Sequence, residues 1–271
     1  MTGHDSFYRQ LFSRPEMVEQ LLRDFVDEPW VAEGDFTALE RVNATFSAAA
    51  GQRRESDMVW RLPLRDGGEV YLYLLMEFQS VPERWMALRV LVYVGLLWQQ
   101  LVEEGRLAPG NLLPPVFPLV LYNGDRRWRA PVSLTELIAL PADAAVWPWQ
   151  PRARYHLLDE GRYSAEDLKT RPGLPALVFR METWREIEEI LPLTQDLIAW
   201  FRGHPGYAAL RPLVLGLLTR VGQDDQGEPV AIPEDLREVM PMMETRVERM
   251  RQKLIEQGRQ QGQQQGRQEG R

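Results

Sequence analysis

Apolar positions along the first half of the chain alternate between a helical and a strand period. Met17, Val18, Leu21, Leu22 and Phe25 recur at three- and four-residue spacing behind Ser13-Arg14-Pro15-Glu16. That run has the form of a capping box with an early proline and predicts a helix over residues 14–26, preceded by a helical turn or two over 5–12. A first strand is expected over 37–46. Residues 56–65 and 69–79 read as two further strands joined by an Asp66-Gly67-Gly68 turn, the second apolar on both faces as in a central, doubly covered strand. Ser80-Val81-Pro82-Glu83 is a second capping box, opening a helix that lasts until Gly105 at its C′ position. Residues 115–122 then form a buried strand ending in an Asn123-Gly124 turn. A helix crossing between two strands implies a parallel pair, so the expected core is α/β with a mixed central sheet flanked by helices.

Beyond Val132 the apolar period is helical over 134–140, 174–179, 187–201 and 207–221, punctuated at Pro172-Gly173, Pro205-Gly206 and residues 222–229. The organisation that follows is a core over 1–130, a helical region packed on or beside it over 131–232, and a helix with a polar Gly/Gln/Arg-rich tail over 233–271. Glycines recur every four residues from Gly258 among wholly polar neighbours. At about 1 kcal/mol lost per helical glycine, that tail is expected to be frayed or disordered alone and to extend the preceding helix on contact with a partner.

The hairpin concentrates the candidate chemistry. Centred on Gly67, it sets Asp57 opposite Glu77 and Arg65 opposite Glu69, with facing Cβ atoms about 5 Å apart. Gln79 shares the face of Glu77, and Phe78 points the other way. Two carboxylates that close can share a divalent metal. Burying them uncompensated would cost several kcal/mol, so a cation, a guanidinium or a raised pKa is required, unless both lie at exposed strand ends against water or arginine.

Composition narrows the options. The 271-residue chain is 44% hydrophobic and has no cysteine, which excludes disulfides, thiolate metal sites and cysteine nucleophiles. Its three histidines, His4, His156 and His204, are too scattered for a zinc site. Oxygen ligands and a hard metal, Mg²⁺ or Mn²⁺, remain. A net charge of −7 gives no general attraction to nucleic acid, although residues 245–271 are basic, so DNA contact would be local or metal-mediated. Lys169 and Lys253 are the two lysines, and neither is near Glu77 in sequence. No signal peptide precedes the first helix and the apolar run 87–98 is short and interrupted by Arg89, so a cytoplasmic protein without a membrane span is expected.

The string Met76-Glu77-Phe78-Gln79-Ser80, followed by Met86-Ala87-Leu88-Arg89 and Tyr93, resembles the Rpn family of recombination-promoting nucleases, also called YhgA-like putative transposases. His4-Asp5 with Phe7, Pro15-Glu16, Ser56-Asp57, Tyr122-Asn123-Gly124 with Trp128, and the glycine-glutamine tail fit the same family. The resemblance implies the restriction-endonuclease-like PD-(D/E)XK fold, in which Asp57 and Glu77 match the metal-binding carboxylates, aided by the Phe78 backbone carbonyl. Gln79 stands where the superfamily places lysine. It can orient a water but supplies no charge, and Arg89 on the following helix is the candidate replacement, with Tyr93 one turn on. Each also has a plainer reading, Arg89 as a salt-bridging or snorkelling arginine and Tyr93 as a core aromatic. Glu19 is either a third carboxylate of the site or an exposed helix residue.

The resemblance thus implies a Mg²⁺-dependent DNA endonuclease that promotes recombination, with catalytic residues Asp57, Glu77, Gln79, Arg89 and Tyr93. The alternative is a catalytically lapsed nuclease fold acting as a protein- or DNA-interaction module, favoured by the acidic body, the missing lysine and the tail. Homo-oligomerisation through the helix at 233–257 is compatible with both.

Overall fold

A computed structural model describes residues 3–43, 57–77, 82–107, 110, 112–124, 126–184, 186–220 and 235–269. The chain divides into two compact units, Met1–Asp167 and Leu168–Arg271.

The first unit is α/β. Helices α1 (Gly3–Phe12), α2 (Pro15–Phe25) and the short α3 (Pro29–Glu33) precede strands β1 (Glu40–Val42), β2 (Met58–Pro63) and β3 (Glu69–Glu77). Helix α4 (Met86–Glu103) crosses to β4 (Val116–Tyr122), and β5 (His156–Asp159) completes a five-stranded sheet in the order β1-β2-β3-β4-β5. Strands β1 to β3 run antiparallel, whereas β3, β4 and β5 are mutually parallel. The expected mixed sheet is therefore present. Strand β5 corrects the helical reading of its segment, and residues 134–137 form only a 3₁₀ turn, opened by a Ser133–Glu136 capping box.

Strand β3 is buried along nearly its whole length, as its two apolar faces require. Val59, Tyr71, Tyr73 and Leu75 share one core with Met86, Ala87, Val90, Val94, Leu97 and Leu101 of α4, and with Trp128 and Tyr155. On the opposite face Trp60, Leu62, Leu72, Leu74 and Met76 are buried, and α1 contacts β3. Helix α4 is long and apolar enough to cross a bilayer by length and composition, beyond the 87–98 run, yet its buried positions belong to this core. It ends where expected. Gly105 has φ +66°, its N–H donates to Val102, and the Arg106 N–H reaches back to Leu101, the paired bonds of a Schellman motif.

Two capping expectations need correction. Ser13 donates back to the Gln10 carbonyl, so Arg14 is the N-cap of α2 and Pro15 its first residue. Helix α4 starts at Met86, leaving Pro82 and Glu83 in the approach to it; Ser80 and Val81 lie outside the described residues. The first strand is reduced to Glu40–Val42 behind a 3₁₀ turn at Phe36–Ala38, and residues 44–46 are also outside the description.

The hairpin register differs as well. The ladder pairs Met58 with Leu74 and Pro63 with Glu69. Leu64 accepts from Gly67 and donates to Gly68, so the loop is Arg65-Asp66-Gly67, with Gly67 at φ +90° in the position that ends a type I turn plus bulge. Continued by one residue, the ladder sets Asp57 beside Leu75 instead of Glu77. Arg65 does not face Glu69; that carboxylate pairs with Arg61 at 2.7 Å.

The second unit contains α6 (Leu174–Thr183), α7 (Ile190–Gly203), α8 (Arg211–Arg220) and α9 (Leu236–Glu269), with the short α5 (Ala165–Lys169) crossing the division between units. Helix α9 packs on α7, with Val239, Met243 and Val247 buried. It continues unbroken through Gly258 and Gly262 to Glu269, where a frayed tail was expected. Gln252 donates to Glu248 and Gln260 to Glu256, four-residue pairs that support the helix against its glycines.

Candidate active site

Asp57 directly precedes β2 and Glu77 ends β3. The register shift is two residues, an even step, so both carboxylates stay on the α4 face of the sheet although they are not directly opposed. Arg89, in the first turn of α4, closes the distance. Its Nη2 lies 2.8 Å from Asp57 Oδ2, and its Nη1 lies 3.7 Å from Glu77 Oε2 and 3.3 Å from Glu83 Oε2. One guanidinium thus spans three carboxylates. The Asp57 and Arg89 side chains are 10% and 13% exposed and Glu77 is 2% exposed, so Coulombic interactions here are only weakly screened. Burial alone would lower the Arg89 pKa, but the charge of Asp57 and its hydrogen bond outweigh that and hold it above the ordinary arginine value.

Two tyrosines frame the group. Tyr73, on the same face of β3, donates its hydroxyl to Asp57 Oδ2 at 3.0 Å. Burial first, and then the Asp57 charge, push its pKa well above the ordinary phenol value, so it remains a donor. Tyr93 packs its ring 5.6 Å from that of Tyr73 and lies 5.5 Å from the Arg89 guanidinium carbon, within cation–π range.

The structure therefore brings together Asp57, Glu77, Arg89 and Tyr93. Phe78 and Gln79 lie outside the described residues. Glu19 is elsewhere engaged, its carboxylate 2.9 Å from Arg23 one turn along α2, and among the described residues no three His, Cys, Asp or Glu side chains group to hold a metal. What the geometry offers a cation is the pair Asp57 and Glu77. The Arg89 guanidinium already lies against both, 2.8 Å from Asp57 and 3.7 Å from Glu77.

The parallel strand ends add two carboxylates, Asp159 and Glu160, that the sequence did not single out. Glu77, Tyr122 and Asp159 are register partners in one row across β3, β4 and β5. The Asn123 N–H donates to the Glu77 carbonyl at 3.2 Å, fixing the last residue of β3. The Asn123 side chain donates to the Tyr8 hydroxyl, which donates to Glu160 at 2.9 Å. Asp159 accepts the Trp128 N–H and lies 3.4 Å from Arg162. Asp159 and Glu160 are almost fully buried, and their signal in the sequence is an acidic pair directly after Leu157-Leu158.

Comparison with known proteins supplies the family. The profile described as "Putative transposase, YhgA-like" matches residues 2–205. The recombination-promoting nuclease RpnD of Escherichia coli O157:H7 is 26% identical over 125 residues, 46% of this chain and 46% of that protein. From Escherichia coli K12, the inactive recombination-promoting nuclease-like protein RpnE is 26% identical over 122 residues, covering 45% of this chain and 39% of that protein. RpnA of the same strain, a recombination-promoting nuclease, is 26% identical over 123 residues, with 45% and 40% covered. The matched stretch thus spans less than half of each relative. No solved structure matches the chain. The chain belongs to the YhgA-like putative transposase family.

Proposed function

We propose that this member of the YhgA-like putative transposase family is a metal-dependent DNA endonuclease with a PD-(D/E)XK-type core, acting in recombination. The observation that carries the reading is that Asp57 and Glu77, at the ends of adjacent strands of a mixed sheet, bring two largely buried carboxylates onto one face. The names of RpnD and RpnA support the class of chemistry. Asp57, Glu77 and the Phe78 carbonyl would hold Mg²⁺ or Mn²⁺. When bound, the ion supplies Lewis-acid polarisation of the scissile phosphate and acidifies an attacking water. Tyr73 fixes the orientation of the Asp57 carboxylate. Gln79 orients the water for in-line attack, and Arg89, backed by Tyr93, offers positive charge to the phosphate oxygens as negative charge develops.

A lapsed nuclease is the competing reading, favoured by the guanidinium seated between the carboxylates and by the name of RpnE. Supercoiled plasmid separates the two. The purified protein with Mg²⁺ or Mn²⁺ is expected to nick or linearise it, and Asp57→Asn and Glu77→Gln, prepared identically and shown folded, are expected to be inert. Equal cutting by wild type and both variants would refute the site. No cutting by any of them would favour the lapsed reading.

A further inference from the structure

We propose that Arg89 is the resident cation of this site and that divalent-metal binding exchanges it onto Glu83, making Glu83 the residue that positions the displaced guanidinium. The inference rests on the metal reading above and assigns a role to Glu83, which the sequence marks only as part of a capping box. Mg²⁺ draws carboxylate oxygens to about 2.0–2.1 Å and takes up much of their charge. Charge drawn from Asp57 by the metal weakens the hold of its Oδ2 on Arg89 Nη2, now at 2.8 Å. The guanidinium has a destination prepared. Nη1 already lies nearer to Glu83, at 3.3 Å, than to Glu77, at 3.7 Å. Glu83 precedes α4 and its side chain is 30% exposed, against 2% for Glu77, so a shift toward it moves the charge from the buried ligand pair toward the solvent side. Within reach of the Tyr93 ring, the cation also keeps an aromatic face. The residue that offsets carboxylate charge here is thereby the same one that, once displaced, meets an incoming phosphate.

Simple electrostatics predicts that removing Arg89 tightens cation binding and removing Glu83 weakens it, so a double-mutant cycle is needed. Mn²⁺ affinity of the full chain is measured by calorimetry and by the electron paramagnetic resonance signal of free Mn²⁺. Arg89→Gln is expected to bind about tenfold tighter than wild type, and Glu83→Gln a few-fold more weakly. In the Arg89→Gln background, Glu83→Gln is expected to change nothing, because Glu83 acts through the guanidinium. Arg89→Lys, which retains charge but not the two-pronged fork, should fall between wild type and Arg89→Gln and serves if the latter does not fold. An equal effect of Glu83→Gln in both backgrounds, or unchanged affinity in Arg89→Gln and Arg89→Lys, would overturn the exchange while leaving the metal site standing. Mn²⁺ binding by wild type no tighter than by an Asp57→Asn/Glu77→Gln variant would overturn the metal reading and the exchange with it.

Discussion

Replacing Arg89 by methionine is expected to expose how much of the first unit's stability rests on one guanidinium. Methionine preserves the apolar stem but removes the guanidinium that lies against Asp57 and Glu77, 10% and 2% exposed on one face. Removing one partner of a buried pair costs about 3–5 kcal/mol, chiefly as the penalty of the orphaned charge, and the partial exposure of Asp57 and Arg89 favours the lower end. At about 2–4 °C per kcal/mol for a unit of this size, a loss of about 3 kcal/mol lowers Tm by roughly 6–12 °C near pH 7.5. Without the guanidinium, two buried carboxylates on one face favour uptake of a proton in the folded variant, so its deficit against wild type is expected to shrink as pH falls toward 5 and to grow as it rises. Chemical denaturation followed by tryptophan fluorescence, repeated from pH 5 to 8, measures this. Adding Asp57→Asn to Arg89→Met is expected to recover at least half of the loss, because it removes the charge that the arginine compensated. A single variant within about 0.5 kcal/mol of wild type at pH 7.5, or a deficit flat across that range, would refute the assignment of Arg89 as the site's neutralising cation.

Gly124→Ala is expected to destabilise by about 1–3 kcal/mol in urea denaturation, because its Cβ would collide with the fully buried ring of Tyr122, whose hydroxyl is tied to the Arg126 carbonyl at 2.6 Å. Burial pulls the His156 pKa below its usual value, against the opposing pull of a hydrogen bond with the Phe25 backbone. As pH falls through about 6.5, the unfolded chain therefore takes up a proton that folded His156 refuses, and stability declines. His156→Gln should flatten that decline between pH 7 and 5 in thermal melts, and an unchanged slope would assign the acid sensitivity elsewhere.

Local pattern was enough where burial itself writes the pattern. The apolar run from Val70 to Met76, set behind the Asp66-Gly67-Gly68 turn, reads as a strand covered on both faces, and the Gly105 stop of α4 needs only the positive φ that its paired carbonyl bonds demand. The hairpin register was not legible, because Asp66-Gly67-Gly68 offers two adjacent glycines and either can take the left-handed position. The loop chosen shifts the ladder by two residues. The period of a strand is also two, so the error moved Asp57 along β3 without moving it to the other face, and the candidate cluster survived a wrong register. Strand β5 had no such protection. Four residues are too few to establish a period, and His156–Asp159 is a strand because β4 is beside it.

Glu83 shows why the last part of the site lay beyond reach of the sequence. Read as the fourth residue of a capping box, Glu83 belongs to the first turn of the helix, and a separation of six residues would then carry it about 240° around the helix from Arg89, with no contact between them. The helix instead begins at Met86, and the bend before it turns the Glu83 carboxylate back over the first turn, to 3.3 Å from Arg89. A difference of a few residues in one helix start thus converts a cap into a ligand for the guanidinium. Helix ends are decided by competition among a handful of weak local bonds, whereas the charge they position here answers to two buried carboxylates contributed by other strands. The tertiary demand of Asp57 and Glu77 for a cation is the stronger term, and it is written in residues more than ten positions away in the chain from the one that answers it.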